Sequence, residues 1–302
     1  IFLITLLIGL CRKSVVILDD EDQIVAVLVG KPLGMPGKPD DWNEVVAGLE
    51  RAIERLKRSC RLRKGEKDHR RGPHPAKAFG VSHGGGQTHP SVLQVHSAAN
   101  EKAFKKFANN HFVKRVAGFG SSAFSYYAPK MFERYSDYLG RLRDHDESLE
   151  WPFANSVFPA TTVNFGPNAT CYDHVDSANA AAGWCAITAA GSYDPKRGGH
   201  LIIFDINTIV EFPPGSTILL PSSVMRHGNT PIQKGETRMG ITQYAAGALF
   251  RWVDNGFMKA EDTSEEVKAR MCAEAPDRFN KLLKLYSTID SLAADRASVF
   301  AK

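Results

Sequence analysis

The chain begins with strand-like spacing of its apolar residues and then changes to helical spacing. Ser14–Leu18 and Gln23–Val29 are rich in β-branched residues and flank an acidic turn, which predicts a β-hairpin. Apolar positions recur at helical intervals after Asp41, at Val45, Val46, Leu49, Ile53 and Leu56. The same spacing predicts two further helices, near Glu101–Val116 and Lys130–Leu142.

From Ser156 onward the chain changes to short apolar runs separated by Gly, Pro and Asn. These runs predict strands at Val157–Phe165, Thr170–Val175, Trp184–Ala190, His200–Phe204, Ile209–Phe212, Thr217–Pro221 and Thr237–Tyr244. Strands at this spacing are typical of a barrel or sandwich. The tail returns to helix: Thr263 and Glu266 form a capping-box pattern, followed by an apolar stripe at Phe279, Leu282, Leu283, Tyr286 and Ile289.

The order of these elements predicts an α+β fold with a β-barrel core between helices. We interpret residues 1–302 as a single catalytic domain with four parts. They are an N-terminal hairpin, helix and basic arm with its loop (1–92), a helical support (93–150), the β core (151–258) and C-terminal helices (259–302).

The composition, with 43% apolar and 24% charged residues, is typical of a globular protein in water. Five widely spaced cysteines without a Cys-x-x-Cys pair argue against a disulfide framework or a cysteine-built zinc site, and suit a reducing compartment. The apolar run 1–10 is half the length of a membrane span. We interpret it as a buried strand or an artefact of the sequence rather than an anchor, and expect no membrane association.

Positive charge is concentrated in the basic arm, residues 51–77, which holds eleven Lys or Arg and three acidic residues in a chain of net charge +5. Such a segment suits contact with phosphates, and it equally suits a solvated charged loop. The Gly-rich loop 80–87 lacks the Lys-Ser/Thr of a nucleotide phosphate loop. The candidates for DNA phosphate contact are Arg58, Arg61, Arg63, Lys64, Arg70, Arg71, Ser82, His83 and Gln87.

Two histidines and one carboxylate carry the candidate chemistry. His174 and Asp176 are two residues apart and so share one face of a strand, and His227 follows a later apolar strand. Two His and one carboxylate form the facial triad of non-haem Fe(II) enzymes, which leaves metal positions open. Zn(II) with a catalytic water uses the same donors, so a zinc hydrolase remains an alternative at this point.

Arg238, eleven residues beyond His227, favours iron over zinc. Fe(II)/2-oxoglutarate oxygenases keep there the cation that pairs with the far carboxylate of 2-oxoglutarate, for which the forked guanidinium is suited. On the strand 238–244, Arg238, Gly240, Thr242 and Tyr244 share one face, and Met, Ile and Gln occupy the other. We therefore expect the polar face to line a cavity and the apolar face to meet helices.

Several further stretches resemble the TET/JBP family of nucleic-acid-modifying dioxygenases, in particular the compact TET-like proteins of mushroom-forming fungi. The resemblance covers roughly residues 78–258. The stretches that carry it are Phe79–Ser82 with Gly84–Gln87, Ala117–Phe124, His174–Asn179, Gly183–Thr188, Gly198–Ile203, Phe212–Leu219, Arg226–Asn229 and Phe250–Asp254.

This resemblance implies a double-stranded β-helix, of the jelly-roll or cupin type, that uses Fe(II), 2-oxoglutarate and O2. It assigns His174, Asp176 and His227 as metal ligands. Arg238, Thr242, His200 and Asn164 are expected to hold 2-oxoglutarate, and Asn179, Tyr244 and Tyr172 to contact the target base. The family's Asn after the His-x-Asp motif is Asn179 here, and an amide can both donate to and accept from a base edge.

The implied activity is oxidation of methyl groups on flipped-out bases of double-stranded DNA, with 5-methylcytosine converted to 5-hydroxymethylcytosine and further products. N6-methyladenine demethylation is open as a second activity, and we expect a nuclear monomer. The cysteine-rich region and the long low-complexity insert of animal TET proteins have no counterpart here, which leaves substrate choice open. A 2-oxoglutarate hydroxylase of small molecules or proteins is an alternative, as is an inactive DNA-binding, transposon-associated module.

Overall fold

The computed structural model describes residues 4–6, 14–32 and 39–301. Its strands are β1 (Ile4–Leu6), β2 (Val15–Leu18), β3 (Ile24–Val29), β4 (Ala76–Ser82), β5 (Ser91–Val92), β6 (Ala160–Asn164), β7 (Cys185–Ser192), β8 (Leu201–Ile203), β9 (Thr208–Val210), β10 (Thr217–Leu220), β11 (His227–Asn229) and β12 (Thr237–Tyr244). Its α-helices are α1 (Trp42–Ser59), α2 (Lys64–Lys67), α3 (Ala98–Ala108), α4 (His111–Tyr127), α5 (Pro129–His145), α6 (Gly247–Asp254), α7 (Glu265–Leu283) and α8 (Leu292–Phe300).

Two sheets face each other across an apolar layer. The large sheet has the order β2-β3-β10-β7-β12-β6-β4-β5, and the small sheet has the order β1-β9-β8-β11. Buried side chains from both sheets pack together between them, including Leu28, Cys185, Ile218, Ile203 and Phe212. This pairing of sheets is the double-stranded β-helix that was expected.

Helices cover the outer face of the large sheet because its strands alternate apolar residues between two faces. Met239 and Ile241 of β12 pack with Leu49 and Ile53 of α1 in one buried cluster. Tyr244 instead contacts the layer between the sheets. The prediction that the even-numbered face of β12 turns inward and the odd-numbered face meets helices is therefore confirmed.

The hairpin, the first helix, the helix near 130–142 and six of the predicted core strands are confirmed, with ends that differ by a few residues. The single helix at Glu101–Val116 is wrong, since α3 ends at Ala108 and α4 begins at His111. Asn110 causes the break: its side-chain oxygen accepts hydrogen bonds from the backbone N–H of Phe112 and Val113, which caps a new helix.

The observed strands also differ from the predicted ones in three segments. Residues 76–82, assigned to the basic arm and the Gly-rich loop, form β4 in the large sheet, so the β core draws on the first 92 residues as well. Thr170–Val175 is not a strand and makes only isolated bridges, whereas the unpredicted β11 pairs with β8. Ile4–Leu6 forms β1 beside β9, and the rest of the apolar run 1–10 lies outside the described residues.

The tail differs from its prediction in its cap and its stripe. Ser264, not Thr263, caps α7 by accepting from the backbone N–H of Val267. Phe279 and Ile289 are exposed rather than buried. Across the described ranges, no helix is long and apolar enough to cross a membrane.

One member of the basic arm is a structural residue rather than a surface cation. Lys77 is buried, and its Nζ lies 2.6 Å from Oε1 of Glu66 and 2.9 Å from Nε2 of His96. Burial opposes ionisation of Glu66, but its hydrogen bonds to the Lys77 side chain and to the Arg63 backbone prevail and lower its pKa. The ion pair ties the short helix α2 to β4.

Replacing Lys77 with Met should destabilise the protein because Glu66 loses its counter-ion in a largely buried position. We expect a loss of about 2 kcal/mol in the free energy of unfolding, less than the 3–5 kcal/mol typical of fully buried pairs. Urea denaturation measures it. The double variant with Glu66→Gln should recover most of the loss, and equal destabilisation of the single and double variants would contradict the ion-pair role.

Candidate active site

The two histidines and the aspartate of the predicted triad converge. One ligand atom from each of His174, Asp176 and His227 lies within 4.8 Å of the others. Nε2 of His174 is 3.8 Å from one Asp176 oxygen, and Nε2 of His227 is 3.9 Å from the other. Asp176 and His227 are buried, and burial with the nearby His227 lowers the pKa of His174. A lowered pKa keeps that imidazole neutral, as a metal ligand must be.

Both histidines are held in the tautomer that frees Nε2. Nδ1 of His174 lies 2.8 Å from the backbone oxygen of Tyr172, and Nδ1 of His227 lies 2.9 Å from that of Met225. Each Nδ1–H therefore donates to a carbonyl, which leaves an Nε2 lone pair facing the aspartate. The donor set and its orientation fit a divalent metal.

Backbone pairing brings the three ligands together from two distant segments. The N–H of His174 donates to the carbonyl of His227 and the N–H of His227 donates back, at 3.1 and 2.9 Å. The N–H of Asp176 donates to the carbonyl of Ser222 at 2.8 Å. His227 belongs to β11, whereas His174 lies on a loop that this bridge makes strand-like.

Arg71 engages the aspartate of the triad. Its Nη1 lies 3.0 Å from Oδ1 of Asp176, in a partly buried ion pair. Its backbone carbonyl accepts a hydrogen bond from the N–H of Tyr172. Arg71 therefore holds the ligand loop, residues 170–176, through both its backbone and its side chain. The charge-assisted bond fixes the carboxylate's orientation and balances its charge.

Arg238 is a buried cation whose side chain lacks a matching anion. It is 6% exposed, its Nη1 donates to the carbonyl of Ala169, and its Nε is buried without a hydrogen-bond partner. No acidic side chain of the described residues forms an ion pair with it. A buried guanidinium is costly without a counter-ion, so this position fits the far carboxylate of 2-oxoglutarate.

The register places three other predicted residues on the interior face with Arg238. Thr242 and Tyr244 follow it by strand alternation, and Asn164 of β6 is directly opposite Gly240. Burial raises the pKa of Tyr244, whose hydroxyl also bonds Thr162. Oδ1 of Asn164 accepts a hydrogen bond from Nε2 of His74 at 3.3 Å.

The remaining predicted ligand contacts are placed less directly. His200 hydrogen-bonds the hydroxyl of Thr230 at 2.8 Å and, by strand alternation, lies on the face opposite to His227. Asn179 donates to the hydroxyl of Ser222 at 2.9 Å, and Tyr172 is 59% exposed beside His174. The roles of these residues toward cosubstrate and base stay predictions.

The DNA-phosphate candidates divide into exposed and engaged side chains. Arg58, Arg61, Arg63, Lys64 and Arg70 are exposed. Gln87 instead bridges the ends of its own loop, donating to the Ser82 carbonyl and the Ser91 hydroxyl. The His83 ring packs edge-on against Trp252 at 5.2 Å. Arg71 already forms an ion pair with Asp176 of the triad, and its contact with phosphate stays a prediction.

Comparison with solved structures supports the fold. NgTET1 in complex with 5mC DNA shares 15% identity over 89% of this chain and 90% of its own, with a TM-score of 0.57. The viral collagen prolyl hydroxylase vCPH of Paramecium Bursaria Chlorella virus-1 (15%, covering 30% and 60%, TM-score 0.24) overlaps only in part. So does a 2OG-Fe(II) oxygenase family oxidoreductase of Burkholderia pseudomallei (13%, 64% and 76%, TM-score 0.36).

The chain has the fold of a TET-like 2-oxoglutarate/Fe(II) oxygenase. No family model and no curated protein matches its sequence.

Sequence reasoning missed three residues that contact members of the candidate site. His74 contacts Asn164, and Ser222 hydrogen-bonds both Asp176 and Asn179. Tyr193 lies beside Arg238; burial raises the pKa of Tyr193, although Arg238 acts in the opposite direction. None of them lies in a motif. The only feature of the sequence that could have indicated His74 was the cluster of polar residues before β4, in which His69 and His74 are five residues apart.

Replacing Arg71 with Gln should weaken metal binding because Asp176 loses the cation that orients it. We expect a loss of roughly 10–100-fold in Fe(II) or Co(II) affinity, the usual cost of removing a ligand's supporting partner. Isothermal titration with Co(II) measures it without turnover. Arg70→Gln is the matched control, since Arg70 is exposed and reaches only the Val175 carbonyl. Unchanged affinity in Arg71→Gln would contradict the positioning role.

His74 should make the fold sensitive to acid. It is 1% exposed, and burial, with a smaller contribution from His69, lowers its pKa from 6.5 to about 4. Between those two pH values the unfolded chain binds a proton that the folded chain does not, so stability is full above pH 6.5 and falls as pH drops toward 4.

His74→Gln should remove this acid-dependent part of the stability, which amounts to about 2–3 kcal/mol between pH 7 and 4.5. Urea denaturation at both pH values measures it. The exposed His111→Gln is the control and should keep the wild-type slope. An identical slope in His74→Gln and the wild type would show that His74 does not titrate in this way.

Proposed function

We propose that this protein is an Fe(II)/2-oxoglutarate-dependent dioxygenase that oxidises the methyl group of 5-methylcytosine in double-stranded DNA. The observation that carries the oxygenase assignment is the pairing of two features on one interior. One is the His174–Asp176–His227 triad and the other is the buried, unpaired guanidinium of Arg238. A zinc hydrolase does not require the buried guanidinium of Arg238.

The residues of the site would divide the work of holding iron and cosubstrate. Nε2 of His174, Nε2 of His227 and the carboxylate of Asp176 would bind Fe(II), and Arg71 would hold the carboxylate in place. Arg238 would bind the far carboxylate of 2-oxoglutarate, with Thr242 on the same face adding a hydroxyl. When bound, Fe(II), 2-oxoglutarate and O2 supply the oxidant that converts a methyl group to hydroxymethyl.

The target base must leave the helix to reach this site, because the triad is largely buried. Tyr172, exposed beside His174, and Tyr244, which packs against the layer between the sheets, would stack on a flipped base. The Asn179 amide, which now donates to Ser222, would read the base edge.

The choice of 5-methylcytosine is supported by the TET-like fold, which is shared over nearly the full length with a protein solved on 5mC DNA. N6-methyladenine is the second substrate that we propose to test, since a flipped-base pocket with one amide does not by itself distinguish the two bases. A nuclear location follows from the DNA substrate, and action as a monomer is a separate part of the proposal.

The purified protein should oxidise 5-methylcytosine in a duplex when supplied with Fe(II), 2-oxoglutarate and ascorbate. Mass spectrometry of the nucleosides measures the products, with a parallel duplex that carries N6-methyladenine. His174→Ala should lose more than roughly 100-fold of the activity, beyond the 10–100-fold typical of residues that only support a ligand. Arg238→Gln should raise the KM for 2-oxoglutarate, since a bidentate ion pair is lost.

The exposed His111→Ala is the matched control and should retain full activity. Succinate production without base oxidation would keep the oxygenase and contradict the methylated-DNA substrate, which favours the small-molecule or protein hydroxylase. Absence of both reactions, with metal bound, would contradict the enzyme assignment and favour the DNA-binding module.

A further inference from the structure

We propose that Arg134, Arg251 and Arg278 form a binding pocket for a DNA phosphodiester. The pocket lies next to residues 179–183, here called the base-reading turn because Asn179 is proposed to read the base edge. This inference rests on the proposed function and adds a surface that the sequence did not indicate. It locates the main backbone contact on α5, α6 and α7, rather than on the basic arm.

The three arginines line one small cavity of about 150 Å³. α5 contributes Arg134, α6 contributes Arg251 and α7 contributes Arg278, and the turn Ala180–Gly183 closes the remaining side. A concave site with several convergent guanidinium groups is suited to a tetrahedral anion, since each fork can donate two parallel hydrogen bonds to its oxygens.

The charge of the cavity is strongly unbalanced. Its lining contains three guanidinium groups and one carboxylate, Asp254. That carboxylate accepts a hydrogen bond from the hydroxyl of Tyr138 at 2.8 Å, so one of its acceptor positions is already occupied. None of the three arginines has an ion-pair partner among the described residues. A net charge of +2 in a recess attracts an anion from solution.

Two of the arginines are held in place by neighbouring groups. The Arg134 guanidinium lies 4.0 Å from the centre of the Tyr138 ring and 5.6 Å from that of Phe250. Nη2 of Arg278 donates to the carbonyl of Met271 on its own helix at 2.8 Å. Side chains that are fixed before binding lose less entropy when an anion arrives.

Arg251 lies beside the turn that carries Asn179. A Cβ built on Gly247 would be 3.4 Å from Nη1 of Arg251 and 3.1 Å from the backbone oxygen of Asn179, so these two atoms are at most 6.5 Å apart. Burial lowers the pKa of His83 in the Gly-rich loop, and the positive charge of Arg251 makes a smaller contribution in the same direction. Arg251 thus connects the loop with the base-reading turn.

The cavity is close enough to the metal site to hold a phosphate near the flipped nucleotide. Ala180 in its wall is four residues from Asp176, which limits their Cα separation to about 14 Å. Successive phosphates of one strand are a few ångströms apart along the helix axis. A phosphate within one or two nucleotides of the target base would therefore reach this cavity.

The decisive experiment measures DNA affinity against salt concentration. Fluorescence anisotropy with a 5-methylcytosine duplex would compare the wild type with the triple variant Arg134→Gln, Arg251→Gln, Arg278→Gln. Three lost phosphate contacts should flatten the log–log salt slope by about 2–3, so that the affinity deficit shrinks by roughly 40-fold between 50 and 200 mM salt. The single variant Arg251→Gln should change the slope by about 1, and Arg251→Lys should restore it.

The charge-matched control is Lys102→Gln, Lys105→Gln, Lys106→Gln on α3, whose lysines are exposed. It should leave the slope within about 1 of the wild type. Thermal melting and Co(II) binding establish that each variant is folded. If the triple variant fails to fold, the single variants Arg251→Gln and Arg251→Lys decide the question, since Arg251 is exposed.

The outcomes separate this inference from the proposed function. A wild-type slope in both the triple variant and Arg251→Gln, with DNA still bound, overturns the pocket and leaves the DNA substrate intact. An equal effect of the α3 control attributes the change to net charge and also overturns the pocket. Weak, salt-insensitive DNA binding by the wild type overturns both the pocket and the DNA substrate.

Discussion

The site depends on one pair of backbone hydrogen bonds, between His174 and His227. Each residue donates to the carbonyl of the other, so the ligand loop and β11 are held in register although the sequence separates them by more than fifty residues. The two imidazole rings are 4.4 Å apart as a result. Because the Nδ1 atoms donate to the carbonyls two residues earlier in each case, the same local geometry sets ring orientation and tautomer. The geometry on which metal binding depends is therefore set by the backbone hydrogen bonds.

Charge balance explains why the interior tolerates two arginines. Arg71 is neutralised by Asp176, whereas Arg238 has a buried Nε without a partner. A divalent metal at the triad would add two positive charges to that of Arg238, and a dianion would offset two of these three charges. The buried guanidinium of Arg238 is unfavourable without a counter-ion, and one carboxylate of a dicarboxylate would supply it. This coupling favours binding of metal and keto-acid together, and it disfavours monoanionic or neutral cosubstrates.

Most of the candidate site could be predicted from sequence, because ligand identity follows from motif spacing. His174 and Asp176 were identified by their two-residue spacing, although they lie on a loop and not on the predicted strand. Arg238 was identified by its distance from His227 and by strand alternation on β12. The role of Arg71 could not be predicted, since its ion pair with Asp176 spans 105 residues and its neighbours read as one charged arm. Lys77 was misjudged for the same reason: charge counted along the chain does not distinguish a buried, paired cation from an exposed one. The break at Asn109–Asn110 was missed because apolar spacing continues across it.

The distribution of positive charge argues for two different uses of basic residues. In the arm, Lys77 and Arg71 stabilise the fold and the ligand loop, so the charge left for DNA there is smaller than the sequence suggests. In the recess beside Asn179, three arginines face one engaged carboxylate and contribute nothing comparable to the β core. Unpaired guanidinium groups lose free energy by mutual repulsion unless an anion joins them. A phosphate bound between the three arginines, as proposed above, would relieve that repulsion.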